Sequence, residues 1–381
     1  MLFYIDHSIY RVLHTRSVSN NEAVFFSNLA NMYSRGECYL CGNVDSLDIL
    51  SNKLGTPANS IYGVARGRYA ENGTVMRTVR VMIILIYEEA FERDALPKII
   101  RNSENVIFVP IPLAISWSLE KRCCIVAENL DDCAFYEAIT AYYYSTHDLH
   151  GLRVSLHHEN GGGNTTGKIL EKCVTQDKTL TLCIVDSDKK WGSSLQYPNP
   201  PARGDTCRLV EKTSAELKKR NDIPPHHAYL LEVHEIENLI PRQIMRRIES
   251  EKLAEMKAGL DVLDALVANN RTDAILCYDY KNGLPYMKSA PQRAYWKEVL
   301  TTLGKTENDM PPCTKEEYIQ QDGAKQSFPP ILKHDLLHKA IDCLKDMDLL
   351  QLCLDDYLQD AWEQIGSLLF SWGCAIIPVY A

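Results

Sequence analysis

The chain has 381 residues, 45% of them hydrophobic and 24% charged, and a formal net charge of −9 at neutral pH. That length supports two or three domains with real cores, and the acidic balance excludes a generally basic nucleic-acid coat while leaving room for a local basic groove. No apolar run approaches a membrane span, the amino terminus MLFYIDHSIYRVLH lacks the basic start and sustained apolar core of a signal peptide, and the thirteen scattered cysteines read as buried free thiols of a reducing cytoplasm.

Residues 1–120 read as a separate α+β domain. Strand-like segments at Val24–Phe26, Thr78–Tyr87 and Asn105–Pro110 alternate with turn clusters at 42–46, 54–60 and 71–74. Cys38 and Cys41 form a C-x-x-C with no second pair at zinc-finger spacing, so they read as two ordinary thiols on a turn. Arg66, Arg68, Arg77 and Arg80, with Tyr69 among them, suit either phosphate contact with base stacking or the solvated surface of a strand pair.

Residues 121–245 carry the pattern that organises the chain. Short apolar runs at Cys123–Ala127, Leu152–Leu156, Leu180–Val185 and Tyr229–Val233 have the continuous hydrophobicity of buried parallel strands, and the stretches between them suit crossover helices. Three of these runs end in acidic sites: Glu128 with Asp132, Asp186 with Asp188, and Glu235 with Glu237. Right-handed crossovers would bring all three to the carboxyl edge of one sheet, where open α/β folds bind ligands. Carboxylates gathered so closely repel one another, so a cation should hold them. Hard oxygen ligands on separate strand ends suit Mg²⁺ or Mn²⁺. Asp186 and Asp188 lie two apart and share one side if strand geometry continues through them. Asp131 or Asn129 can cap a helix beginning near Asp132, and Ala134, Phe135, Ile139 and Tyr142 have the spacing to pack it on the sheet.

A Glu at one strand end, Asp-x-Asp at a later one and an acidic residue after the next resembles the TOPRIM domain of topoisomerases, primases and nucleases. Glu128, Asp132, Phe135 and Tyr136 are similar to the Glu-x-x-x-Asp-x-x-Phe-Tyr motif of the OLD-like and DUF4435-type nuclease branch of prokaryotic phage defence, and EIENL at 235–239 resembles that branch's helix-opening motif. The family usually has Gly after the first Glu, where this chain has Asn129, a residue that tolerates unusual backbone angles.

The resemblance implies a nuclease that cleaves DNA or RNA with two metal ions. Asp186, Asp188 and Glu128 would hold one; Asp132 and Glu237, with Glu235 beside them, would help hold the second. It also implies a separate partner ATPase and an antiviral role. Glu128 is alternatively a general acid or base. A topoisomerase would need a tyrosine nucleophile domain and a primase a polymerase scaffold, and the chain is short for either. The non-enzymatic alternative is an interaction or regulatory partner of a defence ATPase.

GGGNTTGK at 161–168 resembles a P-loop only in part, because Ile169 stands where the Mg²⁺-binding hydroxyl belongs. Its amides and Lys168 suit a nucleic-acid phosphate instead. The connection from Lys189 to Thr206 is too rich in Pro and Gly for regular structure, and it offers Lys189, Lys190, Trp191, Tyr197 and Arg203 as cations and stacking surfaces. A helix over Cys207–Arg220 follows. Residues 246–381 read as mainly helical, connected by Pro-rich loops at 305–330, with a surface suited to packing or self-association. Arg242, Arg246 and Arg247 suit either a phosphate or a solvated helix face.

Overall fold

Four short apolar runs, Leu2–Ile5, Tyr39–Gly42, Met82–Ile86 and Val106–Pro110, form strands β1 to β4. They pair in parallel in the order β2-β1-β3-β4, with Leu2 opposite Tyr39 on one side and Met82 on the other. β1 and β3 are buried at every position, as central parallel strands covered on both faces must be. Parallel neighbours need crossovers, and helices His7–Thr15 and Asn20–Ser34 connect β1 to β2 while Val44–Lys53, Ala58–Gly67 and Tyr69–Thr78 connect β2 to β3.

The amino-terminal region is therefore α/β where α+β was expected. Val24–Phe26 is helical rather than a strand, because Ser19 and Glu22 form a reciprocal capping box that starts a helix ahead of it. The arginine-bearing segment is likewise a pair of helices, with Arg66 bonded to Asp48 at 2.7 Å. Cys41 lies within β2 and Cys38 just before it, both fully buried rather than on a turn. Burial pushes the Cys38 thiol up to about 12, which leaves it inert at neutral pH.

The computed structural model describes residues 1–101, 106–149, 151–198, 203–320, 327–332 and 334–378; Asn105 and residues 199–202 of the Pro-rich connection lie outside them. The chain divides into two units, Met1–Cys183 with Thr213–Ala228 and Trp362–Ala381, and Ile184–Lys212 with Tyr229–Ala361.

The remaining strands are β5 (Cys124–Ala127), β6 (Leu152–Val154), β7 (His157–Asn160), β8 (Thr181–Val185), β9 (His226–Leu230) and β10 (Cys374–Ile376). A second sheet has the order β7-β5-β8-β9, with β5 parallel to both neighbours. Two of the four expected apolar runs, Cys123–Ala127 and Leu180–Val185, supply strands to it, while Tyr229–Val233 contributes only its first two residues to β9, which is half-buried throughout. The fourth does not: Leu152–Val154 pairs antiparallel with β10, and the sheet's edge is the polar HHEN of β7. An edge strand has one partner and a wetter surface, so polar residues are tolerated there. Helix Leu130–Thr146 packs Phe135 edge-to-face on Trp362 at 6.1 Å.

In the second unit, helix Arg242–Ala268 packs on helix Leu336–Lys345, and helix Ala290–Thr302 carries Trp296 into an aromatic cluster, 4.8 Å from Phe328 and 6.5 Å from Tyr278. Arg242 bonds Asp355 at 2.6 Å and Asp264 at 3.1 Å, and Arg246 bonds Glu249 at 2.6 Å as well as Asp264, so both arginines serve packing. Among the described residues no helix is long and apolar enough to cross a membrane.

One partly buried network in the first unit makes stability depend on pH. Arg16 donates to both oxygens of Glu22 at 2.9 and 2.7 Å, and Tyr87 donates at 2.6 Å. The Arg16 guanidinium, against the opposing effect of burial, holds the Glu22 carboxyl down to about 2 from an ordinary 4.5. A depressed folded pKa contributes stability above the unfolded value and loses it as pH falls through the folded one. Discounted for the half-exposed Arg16, Glu22→Gln should cost about 1–2 kcal/mol at pH 7. Thermal denaturation of the two proteins should converge between pH 4.5 and about 2.

Candidate functional site

The second unit builds a buried charged site from three segments joined through their backbones. Beyond β8, Asp188 N–H donates to the carbonyl of His234 at 2.9 Å, and His234 N–H donates to that of Leu276 at 2.7 Å. Ser187, fully buried, donates its hydroxyl to the Val233 carbonyl. Asn238 then fixes the third segment: its amide donates to the carbonyls of Ile275 and Tyr278, both at 2.8 Å, while its side-chain oxygen accepts from Glu235 N–H at 2.9 Å.

This scaffold places His234, Glu235 and Asp279 so that one ligand atom from each lies within 4.8 Å of the others. Glu235 Oε1 accepts from Tyr280 N–H at 2.9 Å. Lys281 Nζ lies 3.3 Å from Glu235 Oε2 and 2.8 Å from Glu237 Oε1, so part of the cationic partner demanded by the acidic pattern is a lysine. Burial, then repulsion from Glu237, raises the Glu235 carboxyl to about 7. Burial works to lower the Lys281 ammonium, but Glu237 and Glu235 outweigh it and hold the group well above its ordinary value. Burial likewise opposes ionisation of Asp279, yet His234 and the amides of its turn keep that carboxyl below the usual range. Among the buried polar atoms that make no hydrogen bond, two belong to this site: Nδ1 of His234, a residue 5% exposed, and Oε2 of Glu237, 3% exposed. Such atoms are uncommon inside proteins and mark a place where an ion or water belongs.

No family model, curated protein or solved structure matches this chain. Its chemistry rests on its own residues.

Asp186, Asp188, Glu235 and Glu237 belong to the second unit; Glu128 and Asp132 belong to the first. β8 ends at Val185, and Asp188 has a φ of 55°, so the strand alternation invoked for Asp186 and Asp188 does not extend to the second of them. Asp132 accepts from Asn129 N–H at 3.0 Å and returns its own N–H to the Asn129 side chain at 3.1 Å, the two halves of a capping box. Asn129 has a φ of −145°, an extended backbone that needs no glycine. Glu128 directly follows β5, and its carbonyl accepts from Gly162 N–H at 2.9 Å, which binds the glycine loop to that strand end.

The expected cations divide. Lys189 pairs with Glu232, and Arg203 reaches Glu232 at 3.1 Å and Glu211 at 3.5 Å, so both are engaged by acids. Lys168 is exposed on helix Thr166–Thr175. Lys190 and Trp191 line a cavity beside His234 and Asp279.

Sequence reasoning missed His234, Asp279 and Lys281. His234 stands between two quoted motif positions, and Asp279 and Lys281 flank a tyrosine in DYKNG, a turn signature inside a stretch read as helical.

Proposed function

We propose that this chain is a divalent-metal-dependent nuclease that cleaves phosphodiester bonds, with its metal centre built around His234, Glu235 and Asp279. The observation that carries the reading is a histidine–carboxylate cluster, buried at His234 and Glu235 and half-buried at Asp279, in which His234 Nδ1 and the neighbouring Glu237 Oε2 make no hydrogen bond. One imidazole nitrogen among carboxylate oxygens suits Mn²⁺ better than Mg²⁺, which prefers oxygen and its own water shell. A divalent ion there supplies an activated water and offsets charge on the phosphate. Asp188, joined to His234 through the backbone, and Asp186 before it extend the acidic set. The resemblance to TOPRIM nucleases also implies roles for Glu128, as acid or base, and for Asp132, both in the first unit and outside this centre. From that similarity also come a cytoplasmic antiviral role and a separate ATPase partner.

The experiment is cleavage of plasmid DNA and total tRNA by the purified chain with Mg²⁺, Mn²⁺ or EDTA. Cutting should require the metal, and Asp186→Ala/Asp188→Ala should lose at least about a hundredfold in rate. No cutting with any metal, with or without a co-purified ATPase, would sink the reading.

One observation favours the alternative of a non-catalytic partner. Lys281 already neutralises Glu235 and Glu237, as a purely structural cluster would require. Calorimetric titration with Mn²⁺ separates the two, since a structural cluster takes up no ion.

A further inference from the structure

The second unit contains a cavity of about 620 Å³ whose lining includes His234 and Asp279. This size is in the range of pockets that enclose one small ligand, and its walls combine three kinds of chemistry. Trp191 and Tyr286 provide flat apolar surfaces. Lys190 and Lys288 bring two exposed ammonium groups, neither paired with an acid among the described residues, Lys288 lying 5.5 Å from the Tyr286 ring. Gln292, 7% exposed, contributes a side-chain amide that bonds no described residue, and Asn282, whose side-chain NH2 donates to Asp279 at 3.2 Å, leaves its amide oxygen to the cavity.

The pocket is held open by its own framework. Trp296 Nε1 donates to the Lys190 carbonyl at 2.9 Å, and Gly192 packs so closely on Tyr295 that a Cβ there would meet the ring at 2.9 Å, which together fix the Lys190–Trp191 segment. On the opposite wall Gly283 turns with a φ of 64°, Leu284 N–H donates to the Phe328 carbonyl at 2.9 Å and Met287 N–H to that of Pro312 at 2.9 Å.

A ligand that satisfies these walls has a flat ring, an anionic group and a hydrogen-bonding edge. A sugar lacks the anion, and a fatty acid has no use for the amides. We infer that this pocket seats one unpaired nucleotide of a single-stranded nucleic acid, its base against Trp191 and Tyr286 and its phosphate toward Lys190 and Lys288. The choice of a polynucleotide rests on the nuclease reading. A paired base keeps its faces stacked within the duplex and cannot offer them to aromatic walls, so the substrate class is single strands and frayed ends.

The test is binding in EDTA, where no cutting occurs, using fluorescence anisotropy of a labelled short single-stranded oligodeoxynucleotide with the full chain. The strand should bind more tightly than the same sequence as a duplex, and adenosine monophosphate should compete where adenosine or inorganic phosphate alone does not. Lys190→Gln/Lys288→Gln and, separately, Trp191→Leu should each weaken binding by at least about tenfold without changing the thermal midpoint. Equal binding of strand and duplex, competition by phosphate alone, or unchanged affinity in both variants overturns the assignment. Adenosine monophosphate binding that no strand displaces overturns it in favour of a free nucleotide. Strand binding that responds to the variants, without metal-dependent cutting, removes the nuclease and leaves the pocket. Cutting with unchanged binding in the variants does the reverse.

Discussion

Lys281→Met should destabilise the protein by about 1–2 kcal/mol at neutral pH, less than the loss of one partner from a fully buried ion pair, because the Lys281 side chain is 44% exposed and solvent screens its charge. Lys281 touches two carboxylates from Glu235 and Glu237, which are 8% and 3% exposed. Methionine keeps much of the length and volume but withdraws the charge, leaving like charges side by side in a poorly solvated place. Chemical denaturation measures the loss. Because the cost comes from the surviving carboxylates, Glu235→Gln/Glu237→Gln should recover much of it, and a double-mutant cycle should give a coupling of about 1–3 kcal/mol. A divalent ion is the natural substitute for the missing ammonium, so Mn²⁺ should raise the variant's thermal midpoint more than the parent's. An additive cycle, or a variant as stable as the parent, would mean that the lysine is a surface contact only.

What could be read from the sequence follows from which signals are local. The parallel strands at Cys124–Ala127 and Thr181–Val185 announced themselves as unbroken apolar runs, because a strand covered on both faces has no polar positions to disguise it. β7 was hidden for the opposite reason: HHEN has no strand-like composition and forms a strand only because β5 offers it an edge. Leu152–Val154 has an ordinary strand composition, but its partner is β10, more than two hundred residues away, and no local pattern states whom a strand will pair with.

The site divides in the same way. Glu235 and Glu237 were visible as acids after an apolar run. Their lysine counter-charge is not legible in the sequence, because Lys281 approaches them only through the fold, in which Asn238 fixes the 275–280 segment through two carbonyls. Asp132 looked the same in either role, and the capping geometry is what gives it a structural task.

Gly204→Ala should reduce cleavage by about a hundredfold while costing only about 1–3 kcal/mol of stability. A Cβ at this position would clash with Oδ2 and Cβ of Asp188, so one of the two residues must move. Gly204 is also tied by its N–H to the Ser187 carbonyl at 2.9 Å, which holds the connection against the Asp186–Asp188 turn. The added methyl therefore pushes on the carboxylate rather than into open space. Asp188 has little room to adapt, since its φ of 55° is already in the left-handed region and its N–H is committed to His234. Displacing it by an ångström would carry strain along the backbone hydrogen bond to His234, a member of the proposed metal centre. The comparison that decides the matter is Asp188→Asn, which preserves the shape of the side chain and removes its charge. If both variants lose cleavage but only Gly204→Ala loses stability, then the position and the charge of Asp188 both serve the reaction. If Gly204→Ala unfolds more readily yet cuts normally, the close approach is a packing feature and Asp188 has no part in catalysis.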